Sequence, residues 1–371
     1  MKKILLLSTL VVVGFILNHC STTTSVKVLK PAEMDVGSVK KVAVLDFEFQ
    51  GSWDYSATES TPRDLKGLGQ KILRDALTKE ASPDPLTAYP GASISDRLVA
   101  KLVNNKYYTV IERKEMAKIL EEQALGLSGV INETTAAEVG NLLGAQGLIM
   151  GSGTYHVQDE GEWETYKEKN EEKKRYRIRR YVDANINFKI VNVTSGTIVA
   201  SKTNTASNYS QSSYGGKRNI SQNYTATGVD EQEARKVVPD WRPIVDGLVN
   251  RILDQTIAQI APHYVIEKRK IEEGDSPAME AATEYAKRGL WDDARGIWES
   301  VSSDNSADME NRIAATYNLG LYYEIYGHLD QAEELFDKSF KISGDTKYLD
   351  AKARIQNRRR ELERLKRQQS E

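Results

Sequence analysis

The residues able to do chemistry in this chain are few, and their spacing says more than their number. There is one cysteine, Cys20, and four histidines at positions 19, 156, 263 and 328. A lone thiol cannot close an internal disulfide, so an exported chain must use it otherwise. His156, His263 and His328 stand far apart, and no two have the i, i+4 spacing by which a helix offers a metal two ligands. They are expected to be structural or surface histidines. No Walker-type phosphate loop is present, and Gly151-Ser-Gly153 lacks the rest of a dinucleotide fingerprint. Asp and Glu residues are spread too evenly to mark a catalytic pair. At the end of the first strand of the segment 107–113, Glu112 and Arg113 suit an ion pair or a helix start. The chain is therefore expected to be no enzyme, with no catalytic residue, no bound metal and no cofactor.

The place of Cys20 gives its chemistry. Lys2 and Lys3 precede an apolar run from Ile4 to Leu17, broken only by Ser8, Thr9 and Gly14. The run is shorter than the roughly 20 residues that cross a bilayer, and it has the length of a signal-peptide core. It ends in Leu17-Asn18-His19-Cys20, which resembles a lipobox, with leucine three residues before the cysteine. His19 departs from the small residue usual there, a departure in keeping with the looser lipoboxes of spirochaete outer-membrane lipoproteins. Residues 1–19 are read as a signal peptide and Cys20 as the lipidation site. The expected localisation is the cell envelope, anchored by lipid, on the outer membrane.

Composition frames the rest. Hydrophobic residues make up 40% and charged residues 28% of the chain, as in soluble globular domains. The formal charge of −2 becomes more negative once Lys2 and Lys3 leave, so nothing points to nucleic acid. Residues 20–38 read as the lipidated cysteine and a flexible tether.

Residues 39–265 alternate strands and helices. Val42–Leu45 is a fully apolar strand core. Residues 50–91 carry Pro62, Pro83, Pro85 and Pro90 and read as a loop-rich insertion with one helix over Leu65–Leu77. Ile94, Leu98, Val99, Leu102 and Val103 fall on one helical face. Tyr107–Ile111 is a strand, and Met116, Ile119 and Leu120 mark a helix. Thr135 and Glu138 have capping-box spacing for a helix that stops at Gly144. A strand begins at Gly147–Gly151, two more follow at Asp183–Val193 and Thr197–Ala200, and then comes a long helix over Ile244–Ile260. Pro243 suits its first turn and Pro262 ends it. The fold class predicted is an α/β (α+β) sheet domain with flanking helices, followed by an all-α region.

Several of these segments resemble the curli-secretion lipoprotein (CsgG-type) family. They are Ile94-Ser-Asp-Arg-Leu98, Val110-Ile-Glu-Arg113, Leu127-Ser-Gly129, Ala136-Ala-Glu-Val-Gly140, Leu143-Gly-Ala145, Gly151-Ser152 and Val191-Asn-Val-Thr-Ser-Gly196. The resemblance implies a periplasmic α/β domain, a membrane tether and possible assembly of copies into a homo-oligomeric ring. Pore-forming members insert two hairpins per subunit to build a barrel, and the matching positions here are about 155–182 and 201–229. A lipid-facing strand needs 9–11 residues with alternate ones apolar. More than half of 155–182 is charged, on both alternation faces, and 201–229 is rich in Ser, Thr, Asn and Tyr. Neither segment is expected to face lipid. The leading expectation is an envelope binding or assembly protein; the alternative is a subunit of an oligomeric curli-type secretion pore.

Residues 277–345 repeat at a spacing of 38: Ala282, Tyr285, Gly289, Ala294 and Trp298 match Gly320, Tyr323, Gly327, Ala332 and Phe336. These positions resemble the tetratricopeptide pattern. Residues 346–371 read as a charged capping helix. In tetratricopeptide folds the first helix of each hairpin lines a concave groove. Met279, Thr283 and Lys287 of one repeat, with Tyr317, Leu321 and Glu324 of the next, would then bind a protein or peptide partner. The alternative is that this face packs on the α/β domain or on the helix after Tyr348.

Overall fold

The computed structural model describes residues 22–58, 91–112, 133–212 and 216–370. Cys20, the signal peptide, most of the expected insertion and the expected helix at Met116–Leu120 lie outside the described residues.

In chain order the strands are β1 (Thr23–Lys30), β2 (Lys41–Val44), β3 (Glu48–Thr58), β4 (Thr109–Val110), β5 (Gly147–Glu168), β6 (Glu171–Asn192) and β7 (Thr197–Ser207). The short β8 (Tyr209–Gln211), β9 (Arg218–Ile220) and β10 (Thr225–Gly228) follow, and β11 (His263–Lys270) comes last. The helices are α1 (Gly91–Asn105), α2 (Glu133–Leu142), α3 (Glu231–Val237), α4 (Trp241–Ile260), α5 (Pro277–Lys287), α6 (Trp291–Ser303), α7 (Met309–Ile325), α8 (Leu329–Ser343) and α9 (Lys347–Ser370). The fold is a mixed α/β sheet domain followed by an all-helical region over 277–370. Two compact units result: Lys30–His263 with Arg364–Glu371, and Tyr264–Glu363 with the segment up to Leu29. No described helix is long and apolar enough to cross a membrane.

The α/β unit is built on a seven-stranded sheet in the order β10-β6-β5-β2-β4, with β3 also on β5 and β7 also on β6. Strand β2 is buried on both faces, as its apolar run requires. Val42 and Val44 join α1 and α4 through Ile94, Leu98, Leu102, Val245, Leu248 and Ile252. Ala43 and Leu45 join Val139 and Leu143 on the other side. Helix α2 stops at Gly144, whose φ of +60° is easy only for glycine. Asp240 caps α4 by accepting from the Arg242 N–H at 3.2 Å. Between β7 and α4, Asn204 donates to Thr256 (3.0 Å) and Gln259 (2.9 Å), and Gln259 donates back to Asn204 (2.7 Å). Such a satisfied buried network fixes one register.

Three sequence expectations need correction. Residues 23–30, expected to be a flexible tether, form β1, which pairs with β11 in a two-stranded sheet. Alternating Val26 and Val28 supply the half-buried pattern of a strand despite the polar residues around them. Residues 50–58, expected inside a loop-rich insertion, belong to β3, which pairs with β5 from Glu48↔Ser152 to Thr58↔Glu162. The prolines begin only at Pro62, and Phe49, Trp53 and Tyr55 already alternate with polar residues. Gly51 is required here, because a Cβ would lie 2.0 Å from the Tyr155 ring. That ring stacks on Trp241 at 5.3 Å. Finally, the strand expected from Asp183 begins earlier: β6 starts at Glu171 and forms one hairpin with β5 around a turn at Lys169 and Asn170, both in the left-handed region.

The helical unit repeats its geometry. Ala282 and Gly320, Ala294 and Ala332, and Trp298 and Phe336 hold equivalent places in α5/α6 and α7/α8. Of these, Ala282, Ala294, Trp298, Ala332 and Phe336 are fully buried. At Gly320 a Cβ would come within 2.6 Å of the Phe336 ring, so the small residue sets the approach of the two helices. Gly289 and Gly327 turn each hairpin at φ +78° and +82°.

Candidate functional site

Two surfaces are candidates for recognition: the β5–β6 arm and the inner face of the helical hairpins.

On the arm, antiparallel register sets Glu160 opposite Arg179, Glu162 opposite Arg177 and Glu164 opposite Arg175. One face is thus a column of carboxylates beside a column of guanidiniums. Arg177 donates to Glu162 (2.5 Å) and Glu164 (2.8 Å), Arg175 donates to Glu164 (3.0 Å), and Arg179 reaches Glu162 at 2.6 Å. The Arg177 hydrogen bond, with the Arg179 charge behind it, holds the Glu162 carboxyl below the usual range. Arg218 of β9 pairs with Glu160, donates to Gln158 (2.9 Å) and lies 3.9 Å from the Tyr181 ring centre. Of these residues, Glu160, Glu162, Arg179, Tyr181 and Arg218 line a cleft of about 620 Å³. Beside it, Ser52 Oγ and His156 Nδ1 are 2.9 Å apart, while Asp54 stands 3.6 Å from Nε2.

The other face of the arm is covered. Tyr176 and Ile178 pack with Ala234 of α3. Asp159 and Arg180 form a two-pronged pair at 2.8 and 2.7 Å, and Trp53 donates to Asp159 at 3.1 Å. Arg180 also donates to the Pro239 carbonyl. Past this cover Trp163 (52% exposed), Thr165, Lys174 and the charged turn are exposed. The signal was in the sequence as Glu-x-Glu-x-Glu at 160–164 and Arg-x-Arg-x-Arg at 175–179. Two-residue spacing puts each set on one side of a strand.

The six residues expected to line an open groove are placed differently. Met279, Thr283, Tyr317 and Leu321 are buried. Glu324 accepts from Arg269 (2.8 Å) and from both prongs of Arg354 (2.9 and 2.7 Å). Lys287 is exposed and donates to Glu284 at 3.0 Å. The chain itself fills this face. Ile271 packs with Met279 and Leu321, and Tyr317 packs with Tyr348, Ala351 and Ile355 of α9. Asn318 clamps the backbone of Glu272, accepting from its N–H (2.9 Å) and donating to its carbonyl (2.8 Å). Asn311 accepts from the Asp275 N–H at 3.1 Å and donates to its carboxylate at 2.6 Å. An apolar stripe of this size is covered because leaving it wet is costly. Tyr317 and Glu324 meet the helix after Tyr348, whereas Met279 and Leu321 meet Ile271. Burial pushes the Tyr317 hydroxyl above its ordinary pKa. Asn311 and Asn318, missed in the sequence, are polar residues on an otherwise apolar helix face.

Sheet domain, extended hairpin and following helical region define the class of protein. Residues 78–274 match the family described as "Curli production assembly/transport component CsgG", more than half of the chain, and the protein belongs to that family. Residues 280–364 match a second family, a domain of unknown function. No curated protein matches the chain. Among solved structures, the LpoB C-terminal domain from Salmonella enterica is 14% identical, covering 47% of this chain and 87% of that one at a TM-score of 0.23. The PelC dodecamer from Paraburkholderia phytofirmans is 12% identical, with coverages of 64% and 98% and a TM-score of 0.24. Lipoprotein GNA1162 from Neisseria meningitidis is 8% identical, with coverages of 58% and 97% and a TM-score of 0.24.

Proposed function

We propose that this protein is a lipid-anchored assembly protein of the bacterial cell envelope. It is held on the outer membrane through Cys20, faces the periplasm, and acts by binding a protein partner rather than by catalysis or a cofactor. The helical hairpins, read as tetratricopeptide-like repeats, serve as a recruitment surface through their outer sides, since their inner face is filled. Family membership supports the assembly role. The observation that carries the reading is the charge on the β5–β6 arm. One face is an ion ladder, and the other packs on α3 at Tyr176 and Ile178 and runs out into a charged turn, which leaves neither face suited to lipid. Each Lys or Arg facing the bilayer midplane would cost about 2–4 kcal/mol.

The competing reading, a secretion-pore subunit, has one feature in its favour: strands of 22 residues, longer than the roughly 9–11 that span a bilayer. Detergent-purified full-length protein in planar bilayers separates the two. No discrete conductance steps are expected. Steps that vanish when residues 163–172 are deleted would establish the pore instead. In cells fed labelled palmitate, the wild-type chain should take up label and Cys20→Ala should not.

A further inference from the structure

The ribbon of β1 and β11 stands immediately after the anchor cysteine and carries a face that its own unit leaves uncovered. Only Ser21 separates Cys20 from Thr22, so an acylated Cys20 lies within about 7 Å of Thr22 along the chain. Thr22 is fixed in the fold. Its carbonyl accepts from the Ile271 N–H at 2.8 Å, and its own N–H donates to Glu273 at 3.2 Å. The start of the ribbon therefore cannot drift away from a membrane that holds the lipid.

The outward positions are Thr23, Ser25 and Lys27 on β1 and Tyr264, Ile266, Lys268 and Lys270 on β11. Tyr264 is 62% and Ile266 65% exposed, among the most exposed large apolar residues described. Lys27 stands 4.3 Å from the Tyr264 ring centre. None of these seven positions is acidic. Glu267 and Glu324 pair with the inward Arg269 and Glu273 holds Thr22, while Glu272 reaches the outward Lys270 at 4.0 Å and also pairs with Lys347. A tyrosine and an isoleucine among lysines match the interfacial zone of a bilayer. There the ring and alkyl chain enter the headgroup region, and the ammonium groups stay with lipid phosphates.

We propose that the outer face of this ribbon lies on an anionic membrane surface and orients the protein on it. The inference rests on the acylation of Cys20 proposed above. The acyl chains supply attachment, and the ribbon supplies the contact that turns a loose tether into a fixed attitude.

The full-length lipoprotein carrying Ile266→Cys tests this. Acylation blocks the Cys20 sulfur, so an environment-sensitive maleimide dye reacts only at position 266, and the intact mass reports the acyl group in the same sample. The vesicles are phosphatidylethanolamine with phosphatidylglycerol, with or without nitroxide-labelled lipid. The expected result is a blue shift of emission on reconstitution and quenching by the nitroxide. Both should weaken severalfold at high salt, with Lys27→Glu and Lys268→Glu together, or in vesicles lacking phosphatidylglycerol. A dye at Tyr264→Cys should behave alike. An acylated protein whose dye stays unshifted and unquenched overturns the membrane contact and leaves the anchor standing. Emission already blue without vesicles would show that protein covers the face, which also overturns it. A mass without acyl chains overturns the anchor and the contact together.

Discussion

The β5–β6 arm and the inner face of the helical hairpins are both surfaces of the kind proteins use for recognition, yet they end differently. The arm neutralises itself by local pairing: Glu160, Glu162 and Glu164 sit across a ladder from Arg175, Arg177 and Arg179, and the pairs stay in contact with water. The hairpin face is apolar, and the chain spends Ile271, Tyr348, Ala351 and Ile355 to cover it. Charge can be satisfied by the neighbouring strand and left exposed, whereas apolar area is satisfied only by excluding water. The difference decides where a partner can bind without first displacing part of the protein.

Mutations sharpen that contrast. The largest effect is expected from Tyr317→Ala combined with Leu321→Ala. Were the face an open groove, the pair would be nearly silent in stability. Filled, each truncation costs roughly 2–5 kcal/mol, so the helical unit should lose its denaturation transition in the full-length protein while the α/β unit keeps its own. An unchanged transition would return the groove reading. Next comes Asp159→Ala, which strands Arg180 in a buried site and should cost about 3–5 kcal/mol in chemical denaturation. Replacing both partners with leucine and methionine should restore most of that stability. If the double replacement is as damaging as the single one, the pair is not held by charge balance.

The smallest effect belongs to the ladder. Glu162→Gln should change stability by only about 0.5 kcal/mol, because the pair is partly solvated. The pH dependence has a definite sign. The folded carboxyl titrates below the usual glutamate range, so its contribution is present above about pH 4.3 and is lost as pH falls through the lowered value. Trp163 fluorescence should report loosening of the arm in that acid window and none at neutral pH. On the helical side, Lys341 and Lys352 bring Asp337 down to about 2. Its bridge between α8 and α9 should persist in acid until pH falls to about 2, as amide exchange in the two helices would show.

Much of this was determined by the sequence alone. The apolar core of β2, the helix stripe from Ile244 to Ile260, the glycine stop at Gly144 and the 38-residue repeat follow from periods of two and 3.6, and from backbone freedom that a local stretch specifies by itself. The family segments were legible for the same reason: they are short and contiguous. What only the tertiary structure decided is which partner each face meets. Nothing near Thr23–Lys30 says that a strand some 240 residues later will pair with it and turn a polar spacer into β1. Nothing near Tyr317 says that α9 and Ile271 will close over it. Coverage is non-local: an apolar or half-polar face specifies only that water should be excluded, and the rest of the chain, folded, supplies whatever excludes it.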